Sequence, residues 1–223
     1  MTRESFLISG WAETYDLHVP SATVFLLAGY GDVLTELLSL AAPEPGMSVL
    51  DLGTGTGNLV GLFLSRGCSV WATDFSPGMI ERARAKYPTV AFAVADLRHP
   101  LPAAFPQRYD RVTSAYAFHH LSLETKARRI RELALQHLQP GGRLLIADVA
   151  FRTAPERAAA RTRYEDCWDP DEFYWAADET REVLGGLPLK VEYSQVSFCG
   201  GVFVIRPARG AAALPAARLP ILR

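Results

Sequence analysis

Short apolar runs that stop at an acid or a glycine turn alternate in this chain with stretches whose apolar residues recur every three or four positions. The first pattern reads as buried parallel strands and the second as helices packed on a sheet. Val49-Leu50 leading to Asp51, then 68–74, 90–95, 109–121 with its exit loop, and 143–149 read as five strands in turn. Helices are expected at 35–40, after Asn58, from Ser76-Pro77, and over 123–138. In the last, Ala127, Ile130, Ala134 and Leu138 share one face, with Ser122 as cap and Gln139-Pro140-Gly141-Gly142 as stop. Residues 154–164 read as a further helix. Asp169 with Pro170 and Glu172 has the capping-box pattern of another. Residues 189–198 and 201–206 then form a closing hairpin around Cys199-Gly-Gly201, as sixth and seventh strands. The pattern is α/β.

Composition narrows the class. With 223 residues, 49% hydrophobic and 21% charged, the chain fits one globular domain. A formal net charge of −1 leaves no electrostatic footprint for nucleic acid and no basic block for a membrane surface. Arg128, Arg129 and Arg131 read as a solvated helix face. Cys68, Cys167 and Cys199 lack metal or redox spacing, which suits a reduced, cytoplasmic setting. No signal-peptide core and no apolar run of the roughly 18 residues a membrane span needs is present. Residues 208–223, rich in Ala and Pro, read as a poorly ordered tail.

The candidate chemistry gathers at the ends of the strands. After Asp51, glycines fall at 53, 55 and 57. Glycine accepts positive φ and lets a ligand approach the backbone, and the helix that follows presents free N–H groups. No Gly-Lys-Ser/Thr follows, which excludes a phosphate loop, and Asn58 stands where a dinucleotide fingerprint needs its third glycine. Asp74 ends the second strand 21 positions after Gly53, near the roughly 20 expected of an acid that accepts from ribose hydroxyls. Since Ser76 and Pro77 already start the next helix, Asp74 is expected to be free for a ligand. Asp96 ends the third strand, either facing a ligand or capping its own turn. Ala115, Tyr116, Phe118, His119 and His120 leave the fourth strand, where ligands of open α/β sheets bind. His119 or His120 is the candidate general base, with a structural role as the rival. Asp166, Asp169, Asp171 and Glu172 form an acidic run, but the capping-box reading takes precedence, so no metal is expected.

Acid-x-Gly-x-Gly-x-Gly resembles motif I of the class I S-adenosylmethionine (SAM) methyltransferases. The alternation of strands and helices with its closing hairpin resembles their Rossmann-like fold, a seven-stranded, mostly parallel sheet with flanking helices and a C-terminal antiparallel hairpin. Trp11-Ala-Glu-Thr-Tyr15-Asp16, Phe75-Ser-Pro-Gly-Met79 and Ser114-Ala-Tyr-Ala-Phe-His-His-Leu121 are similar to segments of the YrrT-like methyltransferases. The resemblance covers about residues 8–150. It implies residues 1–46 as a helical segment closing over the cofactor through Tyr15 and 47–207 as the SAM domain; within the latter, the acids and aromatics after Phe151 read as a helical cap at about 151–180 over the substrate pocket, with a simple packed helix as the alternative. It implies Asp51 and Gly53 near the methionine moiety, with Gly55 and Gly57 completing the turn and Asp74 at the ribose. Asp96 and the Leu97 N–H then meet the adenine, with Phe75, Met79, Ala115 and Tyr116 lining the cofactor. Many relatives carry Glu where this chain has the shorter Asp74.

The function so implied is transfer of the SAM methyl group to O, N or S of a small molecule, leaving S-adenosyl-L-homocysteine. The rivals are a SAM-fold enzyme that uses the cofactor without methylation, and a SAM or S-adenosylhomocysteine sensor. Monomer and homodimer both stay open.

Overall fold

The computed structural model describes residues 27–208. In chain order the elements are α1 (Tyr30–Ala41), β1 (Ser48–Leu52), α2 (Asn58–Leu64), β2 (Ser69–Asp74), α3 (Pro77–Lys86), β3 (Ala91–Val94) and β4 (Tyr109–Ala115). A 3-10 turn, Phe118–His120, leads to α4 (Leu123–Gln136) and β5 (Leu138–Phe151). Then follow α5 (Ala154–Arg163), β6 (Trp175–Ala176), α6 (Ala177–Leu184), β7 (Leu189–Gln195) and β8 (Gly200–Pro207). The strand order is β3-β2-β1-β4-β5-β8-β7, with the two-residue β6 paired to β5 off that path. β1 to β5 run parallel, and β8 is antiparallel to both β5 and β7. This is the expected sheet plus one short strand that the sequence pattern missed.

Both faces of the sheet are covered, as parallel strands require. Successive residues of one strand point to opposite sides. Leu50, Leu52, Val112, Leu144 and Ile146 join the core that holds Ile130 and Leu133 of α4 and Leu184 of α6. Val49, Val70, Ala72, Leu145 and Ala147 join the one that holds Leu37 of α1, Val60 of α2 and Ile80 of α3. The order reverses between β1 and β4, so the crevice beyond their carboxyl ends is the topological switch point.

Two arginines from the sheet fix α1. Arg111 Nε of β4 donates to the Ala41 carbonyl, and Arg143 Nη1 of β5 donates to the Leu40 carbonyl at 2.7 Å. These carbonyls lack intrahelical partners and carry the negative end of the helix dipole, so the buried Arg111 and half-buried Arg143 suit them. The other end of α1 thereby brings Tyr30 to the switch point.

Two charge readings need correction. Arg128 is exposed, but Arg129 and Arg131 on α4 are buried. Arg129 pairs with Glu132 at 2.7 Å one turn on, and the long aliphatic stems of arginine tolerate packing. The helix predicted from Asp169 does not form. Residues 168–174 are irregular and lead into β6. The predicted helix over 123–138 ends at Gln136, and β5 already begins at Leu138. The three cysteines are free, and among the described residues no helix is long and apolar enough to cross a membrane. The segments 1–26 and 209–223, with Trp11, Tyr15 and most of the predicted tail, lie outside the described residues.

Arg111→Met should lower stability by roughly 1.5–3 kcal/mol, because a charge-assisted hydrogen bond is lost and the Ala41 carbonyl loses a buried donor. The urea midpoint reads this directly, and an unchanged midpoint would show that Arg111 does not hold α1.

Candidate active site

The turn after β1 is built as the three glycines suggest. Gly53, Gly55 and Gly57 have φ of 70°, 56° and 88°, all in the region that favours glycine. Gly53 and Thr54 donate their N–H groups to the Thr73 carbonyl at 2.8 and 2.9 Å, which ties the turn to β2. A Cβ on Gly53 would stand 2.4 Å from the Ala117 Cβ, so the glycine turn and the loop after β4 touch with no room for a side chain.

Asp74 is buried at the end of β2 and is not free as expected. Its Oδ2 accepts from Gly55 N and its Oδ1 from Ser76 N, each at 2.9 Å. Ser76 does cap α3, accepting from Met79 N at 3.4 Å with Pro77 at the first helical position, but the turn N–H groups still need an acceptor. Burial raises the Asp74 pKa, and these N–H donors work against it.

Asp51 is buried beside the turn. It accepts from Thr54 Oγ1 at 2.7 Å and Thr113 Oγ1 at 2.9 Å. Burial still pushes its pKa up to about 6, the two hydroxyls opposing and the Asp74 charge adding to the rise.

The second half of the site is the 3-10 turn after β4. Tyr116 has φ 53°, a conformation uncommon outside glycine, and donates its N–H to the Ala147 carbonyl at 2.9 Å. His119 is buried and locked onto Asp148 of β5. Its Nδ1 lies 2.6 Å from Asp148 Oδ1, and its backbone N–H donates to Oδ2 at 2.9 Å. Trp175 Nε1 donates to the same Oδ2 at 3.0 Å, and Val149 N to Oδ1 at 2.8 Å. Burial disfavours the imidazolium, but the Asp148 carboxylate and then Glu172 outweigh it and raise the His119 pKa. Asp148 is correspondingly held below the usual carboxylate range, its partner His119 overcoming the cost of burial.

Glu172 faces these rings instead of capping a helix. Its Oε1 lies 3.6 Å from His119 Nε2 and 3.9 Å from His120 Nδ1. The chain holds it there through Phe173, whose N–H donates to the His119 carbonyl at 2.7 Å and whose carbonyl accepts from Lys126 Nζ. Lys126 is almost fully buried, its Nζ 4.0 Å from the Trp175 ring centroid. Burial lowers its pKa to about 7, with Asp148 opposing. Around this group, Trp168 lies against Tyr174 (4.6 Å between centroids) and stacks on Phe151 (6.4 Å).

Sequence reading missed Asp148, Lys126, Glu172 in this role, and Tyr30. The ring of Tyr30 lies 5.1 Å from that of Tyr116, and its hydroxyl accepts from Asn58 Nδ2 at 3.3 Å. The available signal for Asp148 was its place at the carboxyl end of a strand. Phe118 points away from the site into the core, fully buried and 6.1 Å from Trp175. Ala115 and Tyr116 sit half-buried at the end of β4, and Phe75 half-buried after β2. Met79 is buried in α3, and Leu97 packs beside the core. Asp96 caps its own turn through Arg98 N at 2.9 Å and pairs with the Arg98 guanidinium at 2.6 Å.

A model described as a methyltransferase domain matches residues 49–142, from β1 into β5. A protein of Geobacillus kaustophilus described as an uncharacterised methyltransferase is 34% identical over 201 residues, covering 84% of this chain and 87% of that protein. YrrT of Bacillus subtilis, described in the same terms, is 28% identical over 85% of this chain and 91% of its own. The chain belongs to the YrrT-like methyltransferases, SAM-dependent enzymes of the class I fold. Solved structures share that fold. DhpI in complex with SAM and HEP matches at TM-score 0.69 and 20% identity, covering 92% of this chain and 96% of that one. A Haloferax volcanii methyltransferase in complex with the Trm112 activator matches at TM-score 0.68 and 20% identity, covering 90% and 97%.

Because the folded pKa of Asp51 is raised, its ionised form costs stability above about pH 6. As pH falls through 6 toward the ordinary 3.8 the folded chain binds the proton first, and that cost disappears. Asp51→Asn should therefore raise stability at pH 7.5 by up to roughly 3 kcal/mol, since the hydroxyls of Thr54 and Thr113 can rotate to suit an amide. In urea unfolding the gain should narrow at pH 5. A gain unchanged between the two pH values would contradict the raised pKa.

Proposed function

We propose that this methyltransferase moves the methyl group of SAM to a nucleophile on a small molecule that sits over His119, His120 and Glu172. The contact of Gly53 with Ala117 carries the reading. It sets the cofactor turn of β1 directly against the histidine turn of β4, so donor and acceptor would meet at the switch point.

The residues present fit SAM. Gly55 has open space where a Cβ would stand, so a ligand can approach the turn backbone there. Asp51, ionised at neutral pH, suits the methionine ammonium. The Asp74 carboxylate accepts from the N–H groups of Gly55, Ser76 and Phe75, and with about four lone-pair sites it can still accept from a ribose hydroxyl despite its structural duty. Asp96 would accept from the adenine amine with Arg98 as its standing partner and Leu97 N–H alongside. Phe75, Met79, Ala115 and Tyr116 complete the assignment from the family pattern, with Gly53, Gly55 and Gly57 shaping the turn. The DhpI complex with SAM lends support through the shared fold. When bound, SAM supplies a methyl group on a cationic sulfur, open to in-line displacement.

The protein's own contribution is orientation and proton handling. Asp148 holds the His119 Nδ1–H inward, which leaves Nε2, beside Glu172, as the ring atom that can exchange a proton. A hydroxyl or amine acceptor would lose its proton to His119 or His120, whereas a thiol needs less help. The aromatic segment 164–174, with Trp168 against Tyr174 and Phe151, would serve as a partial cap beside this corner. A net charge of −1 and the lack of a basic block favour a small acceptor over nucleic acid. A reduced, cytoplasmic setting fits the three free cysteines.

Calorimetric titration with SAM and S-adenosylhomocysteine tests the cofactor site. Binding in the micromolar range is expected, with none for NADH. Asp74→Ala should weaken it at least about tenfold, since it removes hydrogen bonds to a charged group. A folded protein that binds neither compound would overturn the reading.

A further inference from the structure

His119, His120 and Glu172 each offer one ligand atom, and the three atoms lie within 4.8 Å of one another. We propose that these side chains form a divalent metal site of the zinc class, set in the acceptor corner of the active site. The inference deepens the reading above, because the lone pair that would take the acceptor's proton is the one that would take the cation.

The geometry is close to that of a binding site. His119 Nε2 and His120 Nδ1 stand 3.6 and 3.9 Å from the same oxygen of Glu172. A tetrahedral ion with bonds of about 2.0–2.1 Å spaces its ligands about 3.3 Å apart, so the three atoms, which lie within 4.8 Å of one another, must draw together by up to about 1.5 Å. The two rings lie 4.2 Å apart at 60°, and since Asp148 holds His119, the exposed His120 is the ring with room to turn toward a common point. Two imidazoles and one carboxylate suit zinc, cobalt or iron(II) and do not suit the all-oxygen preference of calcium or magnesium.

A second observation points the same way. Metal-bound histidines almost always donate their other N–H to a carboxylate or carbonyl, which fixes the tautomer. His119 has that partner in Asp148 at 2.6 Å, and the carboxylate is itself anchored by the Trp175, Val149 and His119 N–H groups. Both histidines sit on one short turn, and Glu172 is fixed from the other side by the Phe173 N–H on the His119 carbonyl. The three ligands therefore come from two anchored segments and not from a mobile loop.

Three protein ligands leave a fourth position for the acceptor, the arrangement of catalytic zinc sites. Bound there, an acceptor oxygen or sulfur would ionise more readily, its proton passing to solvent as the metal takes the lone pair. The methyl group would then move to that atom with no proton left to remove. The substrate class so implied is a small molecule with a hydroxyl or thiol able to ligate a metal.

Cobalt(II) serves as the probe. Chelator-treated protein titrated with cobalt should take up one ion per chain, show the visible band of a four- or five-coordinate site, and lose it to added zinc. His120→Ala and Glu172→Gln should each weaken uptake at least about tenfold. SAM calorimetry on the same samples reports folding and the cofactor site independently of the metal. Cobalt uptake no better than that of a His119→Ala/His120→Ala/Glu172→Gln variant would overturn the metal site, and SAM binding in that sample would leave the methyltransferase reading intact. Loss of SAM binding in folded protein would instead overturn that reading.

Discussion

The carboxylate of Asp148 is the constraint on which this end of the molecule depends. It is wholly buried, and a buried charge is tolerated only when its lone pairs are met by donors. Four N–H groups meet it: the backbone and Nδ1 of His119, the indole of Trp175, and the backbone of Val149. Those donors come from the turn after β4, from β6 and from β5 itself. One side chain thus joins three pieces of chain, and its demand for donors fixes where the histidine ring points. Together with the buried Phe118 ring and the Phe173 N–H on the His119 carbonyl, that demand holds the turn of Phe118–His120 in place.

A second constraint works between the halves of the site. The glycine turn is held to β2 by the Thr73 carbonyl and the Asp74 carboxylate, and to the loop after β4 by the absence of a side chain at Gly53. Asp74 thereby serves structure as well as any ligand. A shorter acid reaches the neighbouring N–H of Gly55 and Ser76 easily, which gives a physical reason for aspartate at this place.

The strands and their order of use were legible because apolar runs ending in acids are a local signal, and Asp51, Asp74 and Asp96 each mark a strand end. The pair of histidines was legible for the same reason. Asp148 carried the same strand-end signal, but its pairing with His119 was not legible, since only the neighbouring places of β4 and β5 in the sheet bring the two together. Glu172 misled through its surroundings: Asp169-Pro170 and an acid at the third position make a good local cap, but Trp175 on Asp148 and Phe173 on His119 hold the segment as a turn and irregular chain with no helix after it. Arg129 and Arg131 misled because charge was equated with exposure, although long stems bury readily. Tertiary contacts decided each of these cases.

The pairing of β6 with β5 has a consequence for how such proteins diversify. Ala150 is registered with Trp175, and Phe151 with Ala176. The chain that leaves the sheet at Phe151 thus returns to it about one strand spacing away, roughly 5 Å. Everything between, α5 and the aromatic stretch included, is a closed excursion whose two ends are pinned side by side. Such an excursion can be lengthened, shortened or exchanged at little entropic cost to the sheet beneath it. It behaves as a cassette, able to change in length or sequence while the parallel strands and their turns stay the same.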